Sequence, residues 1–473
     1  MTRRALVLGA GIGGLSAGVR LLENGWAVDL VEKTGQVGGL GRSFVRNGCV
    51  FDIGIHALYQ SNKETKALVD HYNGKIAEHL VKVYKKTSLW FFGKYLQYPL
   101  KTTDLFFAMS LYRNARCFMD FLYARVKKRM GLMRDDGSFE QWVVNRFGRT
   151  LYNTYFGPYV EKVWGVPARQ MSSKWLARRI SQVSLWSVVK KTLGNAFRRR
   201  PSEDEMQSLQ PKTFLYSRKG NQVLQDWFLA RFQELGGRLH LHTRATALQL
   251  AGRRATGATL DTKGARQDLP VDAVINTITL PQLAALLTPD PGQGVVAAGK
   301  ALRYRALVLV HLFANRDQVF KDQWVYYQDR RLPFNRVNEY KNVIPDMATP
   351  GRTAVQLELT CFEGDATWCA TDQELVDKCI QSLEWLQILK RAEVTDWFVE
   401  RIENSYPVFD IPAETNLDTF LDWVDGSDNL RTVGRQGRFQ YINQDEVIFQ
   451  AEAAADALSG KSAVAIDRAP KTY

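Results

Sequence analysis

Cysteine is scarce in this chain. Five thiols, Cys49, Cys117, Cys361, Cys369 and Cys379, are scattered over 473 residues, and no two form a C-x-x-C pair. Such an odd, dispersed set excludes a disulfide-stapled scaffold and reads as the reduced thiols of a cytosolic protein. Long apolar runs are missing as well. No uninterrupted stretch reaches the roughly 18 residues that a membrane span needs. The expectation is a soluble protein, or one held peripherally on the inner face of a membrane. The N-terminus runs straight into a strand, so removal of a leader would destroy the first motif. No His/Cys group has metal-ligand spacing, no nucleophile triad stands out, and no recognition-helix signature occurs. A metal is therefore not expected, and nucleic acid is the least expected partner. Acid is the minority charge, 49 Asp and Glu against 63 Lys and Arg, for a net charge of +14. That excess favours anionic partners such as phosphate-bearing substrates or acidic lipid surfaces.

Glycine, in contrast, is concentrated where it matters. The run Ala5-Leu6-Val7-Leu8-Gly9-Ala10-Gly11-Ile12-Gly13-Gly14-Leu15 has an apolar lead-in and a helical lead-out. Gly9 permits the tight turn, Gly11 lets a pyrophosphate approach the backbone, and Gly14 lets the helix pack close on the strand. A second apolar run, Ala27 to Val31, ends in Glu32. This acid stands about 20 residues past the turn, where a carboxylate takes a ribose hydroxyl. Strand, turn, helix, strand and acid together predict a dinucleotide site.

The continuation is Lys33-Thr34-Gly35-Gln36-Val37-Gly38-Gly39-Leu40-Gly41-Arg42, then Phe51-Asp52-Ile53-Gly54-Ile55-His56. It resembles the two-part FAD fingerprint of the amine oxidase, protoporphyrinogen oxidase, phytoene desaturase and UDP-galactopyranose mutase superfamily. The resemblance implies FAD as cofactor. It also implies an α/β (mixed α+β) fold with a Rossmann-like FAD domain built from separated segments. Those segments are expected at 1–85, 211–291 and 416–460. Residues 86–210 and 292–415 are expected to form a substrate, or cap, domain, and 461–473 a tail. Implied cofactor contacts are Gly9, Gly11, Gly13, Gly14, Glu32, Lys33, Gly39, Leu40, Arg42, Gly54, His56, Ala247, Gly434, Arg435, Asn443 and Val447.

Further motifs narrow the substrate. Phe156-Gly157-Pro158-Tyr159-Val160-Glu161-Lys162-Val163-Trp164-Gly165-Val166-Pro167 resembles a segment of the mutases and the protoporphyrinogen-oxidase-like proteins. Gly434-Arg435-Gln436-Gly437-Arg438-Phe439-Gln440-Tyr441-Ile442-Asn443-Gln444-Asp445 resembles the mutases' C-terminal motif. By that likeness His56, Trp164, Arg178, Arg305, Tyr441 and Asn443 are expected at the reacting centre. Arg178 and Arg305 would hold an anionic or diphosphate group. Two departures weigh against mutase chemistry: Tyr59 replaces a second histidine, and Asn443 replaces an acid. The expectation is a protoporphyrinogen-oxidase-like FAD oxidoreductase of glycan, isoprenoid or natural-product biosynthesis. Its small-molecule substrate would be a nucleotide sugar, a glycolipid or a porphyrin-like compound. A flavin-dependent nucleotide-sugar mutase is the alternative.

One cluster stands apart. Arg113, Arg116, Arg125, Lys127, Lys128 and Arg129 interleave with Phe118, Met119, Phe121, Leu122 and Tyr123. Two readings remain open for it: a membrane-surface patch, or buried helices with solvated basic faces.

Overall fold

The computed structural model describes residues 2–59, 80–98, 102–176, 213–292 and 294–461. A five-stranded sheet begins the fold. Its strands run Leu430–Thr432, Ala273–Asn276, Arg4–Leu8, Ala27–Val31 and Arg238–His240 from edge to edge, and every neighbouring pair is parallel. The first strand shows why its sequence has no polar face. Ala5 and Val7 pack into one apolar cluster while Leu6 and Leu8 pack into another. Side chains alternate across a sheet, so a strand covered on both sides needs an unbroken apolar run. The helix Ile12–Glu23 covers one side, with Phe232 and Val447 against it. Asp29, buried beneath this sheet, is satisfied by Arg238 at 2.7 and 2.8 Å and by His240 Nε2 at 2.8 Å. Both of those partners are structural.

A seven-stranded sheet forms the second layer system. Its order is Val394–Pro407, Tyr304–Ala314, Thr353–Cys361, Arg336–Glu339, Trp324–Tyr327, Thr87–Phe91 and Lys94–Gln97. The strand Tyr304–Ala314 is buried along its whole length. Ala306, Val308, Val310 and Leu312 face the helix Asp372–Trp385, whereas Leu307 and Leu309 meet Ile53 on the other side. Its register with the strand Val394–Pro407 shifts between Arg305 and Leu307. A bulge of this kind re-aims the flanking side chain.

The run Ser138-Phe139-Glu140-Gln141-Trp142 reads in the sequence as a helix start, and Ser138 caps the helix Phe139–Phe147 by accepting from the Gln141 N–H at 3.1 Å. The alternation from Leu239 to Leu248 reads in the sequence as one strand, but the structure has two, Arg238–His240 and Thr243–Ala251, in different sheets. The break falls at His242, which has a left-handed φ of 51°. Arg178 lies outside the described residues, as does the tail beyond residue 461.

Candidate cofactor and substrate site

Two helix N-termini converge on the glycine turn. The helix Ile12–Glu23 starts at Gly11, which offers no side-chain cap, so its first N–H groups are left for a ligand. A Cβ on Gly14 would stand 1.8 Å from the Gly9 carbonyl oxygen, so this glycine is demanded by packing. Gly11 differs: a Cβ there would meet no protein atom closer than 3.8 Å. Protein packing does not require a glycine at position 11, whereas a ligand lying on the backbone does. Gly9, at φ 97°, makes the turn itself.

Glu32 closes one side. Its Oε1 accepts from the Thr34 backbone and hydroxyl, both at 2.9 Å, and Oε2 accepts from Ala10 N–H at 3.1 Å. Oε2 retains capacity for a hydroxyl donor. Gly38 and Gly39 both have positive φ and carry the chain into a short turn, Gly39–Gly41, beside Gly11. Arg42 follows, with a buried Nε that finds no partner. A desolvated, unsatisfied guanidinium N–H asks for an anion or carbonyl. These features fit FAD: Glu32 toward a ribose, the Gly11 helix start and Arg42 toward the diphosphate.

The second helix, Gln444–Leu458, starts at Asn443. Asn443 and Glu446 cap it reciprocally, with Asn443 N–H donating to Glu446 Oε2 at 3.0 Å. Val447 reaches back to Gly13 and Gly434; a Cβ on either glycine would lie 3.0 or 3.3 Å from its Cγ1. Arg435 donates from Nη2 to the Ile442 carbonyl at 2.8 Å and lies 4.7 Å from the Tyr441 ring centre. Tyr441 stacks on Tyr406 at 5.3 Å and 15°.

His56 sits between these parts. Its Nε2 lies 2.9 Å from the Leu40 carbonyl and 3.0 Å from that of Ile53. Both partners only accept, so Nε2 bears the proton and Nδ1 is the acceptor. Burial first, and then Arg435, push its pKa down to about 4. His56 is neutral at physiological pH. Gly54, at φ 74°, lies under the Arg336 guanidinium, whose Nη2 a Cβ there would meet at 2.9 Å.

Arg336 was not singled out by sequence reasoning. It pairs with Glu358 at 2.7 Å, and both are nearly buried. Burial opposes its charge, but Glu358, Tyr406 and Tyr326 more than offset this and hold its pKa well above the ordinary value. Glu358 also accepts from Asn338 Nδ2 at 2.6 Å, and Asn338 donates to Gln356 at 3.0 Å. Gln356 and Tyr340 then donate to the Asp52 carbonyl, each at 2.8 Å. The Asp52 carboxylate in turn takes Ser43, Tyr216 and the Asn221 backbone and side chain. A buried polar chain thus runs from the second glycine motif to Arg336. Its sequence signal was weak: Arg336 and Asn338 alternate on one strand, directly opposite Glu358 and Gln356 on the next.

Tyrosines gather around Arg336. Tyr59, Tyr159 and Tyr326 lie within electrostatic reach of one another or of Tyr98, Tyr155 and Tyr441. Each of these rings is half-buried. Desolvation raises the pKa of Tyr59, Tyr155, Tyr159, Tyr326 and Tyr406, so these hydroxyls stay protonated and can donate. Lys85 stands 5.8 Å from the Tyr59 ring centre, its pKa lowered by burial to about 8.

Arg305 enters from the bulged strand. It is 4% exposed, forms no ion pair with a described residue, and keeps a buried Nε without a partner. Burial lowers its pKa to about 10. Its guanidinium lies 4.3 Å from the Phe362 ring centre and so close to Gly165 that a Cβ there would collide with Nη1. Trp164, one residue earlier, is buried, with its edge toward Phe409 at 5.7 Å and Tyr406 at 6.5 Å. Of the remaining expected positions, Ala247 is half-buried beside a bulge, and Lys33 is exposed and paired with Glu403 at 2.5 Å. Among the described residues no cluster could hold a metal ion.

The sequence pattern of the flavin-containing amine oxidoreductases matches residues 12–435. The chain belongs to that family. Family membership makes the protein a flavoenzyme, and the dinucleotide geometry at Gly11 and Glu32 agrees with FAD as its cofactor. Solved structures share the fold along nearly its whole length. A reduced UDP-galactopyranose mutase is 20% identical with a TM-score of 0.80, covering 98% of this chain and 96% of that one. A putative protoporphyrinogen oxidase from Exiguobacterium sp. 255-15 is 15% identical with a TM-score of 0.72, covering 98% and 100%. Protoporphyrinogen oxidase 2 of Arabidopsis thaliana is 25% identical over 191 residues. That match spans 40% of this chain and 37% of that relative's length.

Proposed function

We propose that this flavoenzyme oxidises or reduces a small substrate bearing an anionic, phosphate-type group. We place that group against Arg305 and the tyrosine hydroxyls. The observation that carries the reading is Arg305 itself: a desolvated guanidinium with a buried, unpartnered Nε and no ion pair among the described residues, the Asp365 carboxylate acting on it only from longer range. A buried cation without an anion is unfavourable, and a site retains one when the anion arrives with the ligand. The same chemistry suits a nucleotide sugar or a phosphate-linked lipid. In this division of labour the parallel sheet and its helices hold FAD, and the seven-stranded sheet with the segments around Trp164 holds the substrate.

Bound FAD would supply the two-electron redox chemistry. The chain's own residues position and insulate. Arg305 fixes the anion. Tyr59, Tyr159, Tyr326 and Tyr406 stay protonated, donate to oxygen acceptors and exclude water. Arg336, held by Glu358, sets a fixed positive field over Gly54. Neutral His56 presents Nδ1 as an acceptor without adding charge. Of the carboxylates, Glu358 is engaged by Arg336 and Asn338, so it is a poor free base.

Isomerisation of a nucleotide sugar is the second reading, favoured by a cluster of hydroxyls and guanidiniums suited to a diphosphate. The two readings separate in one experiment. Dithionite-reduced enzyme is added to UDP-galactopyranose and to UDP-galactofuranose without oxygen or another acceptor. No interconversion, together with substrate-dependent bleaching of the oxidised flavin by a phosphate-bearing compound, supports redox chemistry. Catalytic interconversion with no net change in flavin state makes the protein a mutase.

A further inference from the structure

The helix Leu111–Arg129 touches the rest of the protein by a narrow stripe. Asn114, Cys117 and Asp120 are half-buried, and Phe121 and Ala124 are buried. Asp120, the sole acid between residues 111 and 132, is turned inward and accepts from Thr150 N–H at 2.7 Å. At about 3.6 residues per turn, Leu111, Phe118, Leu122 and Val126 form a second stripe on the far side. All four are exposed, Leu111 by 79% and Val126 by 55%. Ten of the seventeen large apolar side chains exposed among the described residues lie between Phe107 and Leu132. Phe92 joins them, drawn under Arg113 at 4.5 Å. Contiguous exposed apolar surface of this kind marks an interaction site.

Charge identifies the partner. Arg116, Arg125, Lys127, Lys128 and Arg129 are all exposed along the same helix, with no outward acid among them. An apolar stripe flanked by cations fits a surface that is anionic outside and apolar beneath. No helix among the described residues is long and apolar enough to cross a membrane, so the contact would be in the plane of the interface. We propose that this helix docks flat on an anionic lipid bilayer. Phe118, Leu122 and Val126 enter the acyl boundary while the basic side chains meet the headgroups. Of the two readings open for this basic-aromatic segment, the surface patch is the one proposed.

The test uses full-length, flavin-loaded protein and co-sedimentation with phosphatidylcholine vesicles, with and without phosphatidylglycerol. Strong partition to the anionic vesicles and weak partition to the neutral ones is expected, falling as salt rises. An Arg116→Gln, Lys127→Gln, Lys128→Gln variant should partition about fivefold less for each charge removed. A Phe118→Glu, Leu122→Glu variant should lose binding. Both variants alter only exposed positions, so their flavin content and melting temperature should match the parent and separate lost docking from lost folding. Absence of partition, or equal partition to both vesicle types, overturns the proposal. So does self-association that Leu122→Glu abolishes while vesicles are ignored, which would assign the face to a second copy of the chain.

Discussion

Gly11 and Arg305 sit in the two sheet systems and answer different questions. At Gly11 the recognition element is backbone: N–H groups at a helix start, reachable because no side chain intervenes. At Arg305 the proposed recognition element is a side chain, aimed by a bulge and stripped of water by Phe362 and Gly165. Backbone recognition tolerates almost no substitution and is written in contiguous residues. Side-chain recognition is assembled from strands far apart in the chain and can change its substrate one residue at a time. The first region therefore speaks to the cofactor, and the second to what this family member does with it.

The largest effects should break the glycine turn, and they should split it into two. Gly14→Val forces a side chain onto the Gly9 carbonyl, so no stable folded protein is expected in a thermal melt or on gel filtration. A Cβ at Gly11 makes only ordinary contact with the protein, 3.8 Å from Gly39 Cα and 3.9 Å from the Gly38 carbonyl. Gly11→Val should fold, with its circular dichroism intact, and lose its flavin absorbance. A Gly11→Val protein that stays yellow would remove the argument from close backbone approach.

Acid should act on both regions. His56 and His311 are held neutral by burial, with pKa values near 4 and 3. An unfolded histidine titrates near 6.5, so the unfolded chain binds more protons between these values. The stability they contribute is complete above pH 6.5 and is lost as pH falls through 4 and 3. His311, fully buried and stacked on Phe398 at 4.0 Å, carries the larger share. Between pH 6.5 and 4 the histidine part of the loss should not exceed about 3 kcal/mol each, and less for half-buried His56. Chemical denaturation of the parent and of His311→Gln across pH 4 to 7 reads the His311 share as the difference between the two slopes, on top of the opposite contribution of buried Asp52, whose pKa is raised to about 6.

Arg305 sharpens the comparison because function and stability should move in opposite directions. Arg305→Met should weaken substrate binding at least tenfold, since a charged hydrogen bond is worth about 1.5–3 kcal/mol. It should also raise the melting temperature, because burial disfavours the unpaired guanidinium by up to about 3 kcal/mol. Flavin content should not change. A lower melting temperature with unaltered substrate affinity would make Arg305 a structural residue.

Smaller effects are expected where the helix start is capped. Asn443→Ala should cost about 1 kcal/mol of stability, and Asn443→Ser should recover most of it. If the serine variant regains stability but not turnover, Asn443 does more than cap. Lys33→Ala should be the mildest change. Its pair with Glu403 is exposed, and such pairs contribute at most about 1 kcal/mol. A large fall in flavin affinity in that variant would show that Lys33 also reaches the cofactor.

Contiguous sequence determined the cofactor half. Gly9, Gly11, Gly14 and Glu32 announce the turn and its acid, because backbone geometry there depends on which positions lack a side chain. The strand Tyr304–Ala314 and the Ser138-capped helix were legible for a similar local reason, in period and cap chemistry. The helix start at Asn443 was legible as a motif, but its capping role was not, since that depends on Glu446 folding back. Tertiary structure alone gathered the tyrosines and Arg336 into one region. Tyr98, Tyr155, Tyr326 and Tyr406 look like ordinary aromatics in the sequence. Arg336 looks like a surface cation until Glu358, Asn338, Gln356 and Asp52 are brought into one buried chain. The value of each polar group is set by what desolvates and satisfies it, and those partners come from neighbouring strands and, for Asp52, from about 300 residues away in the chain.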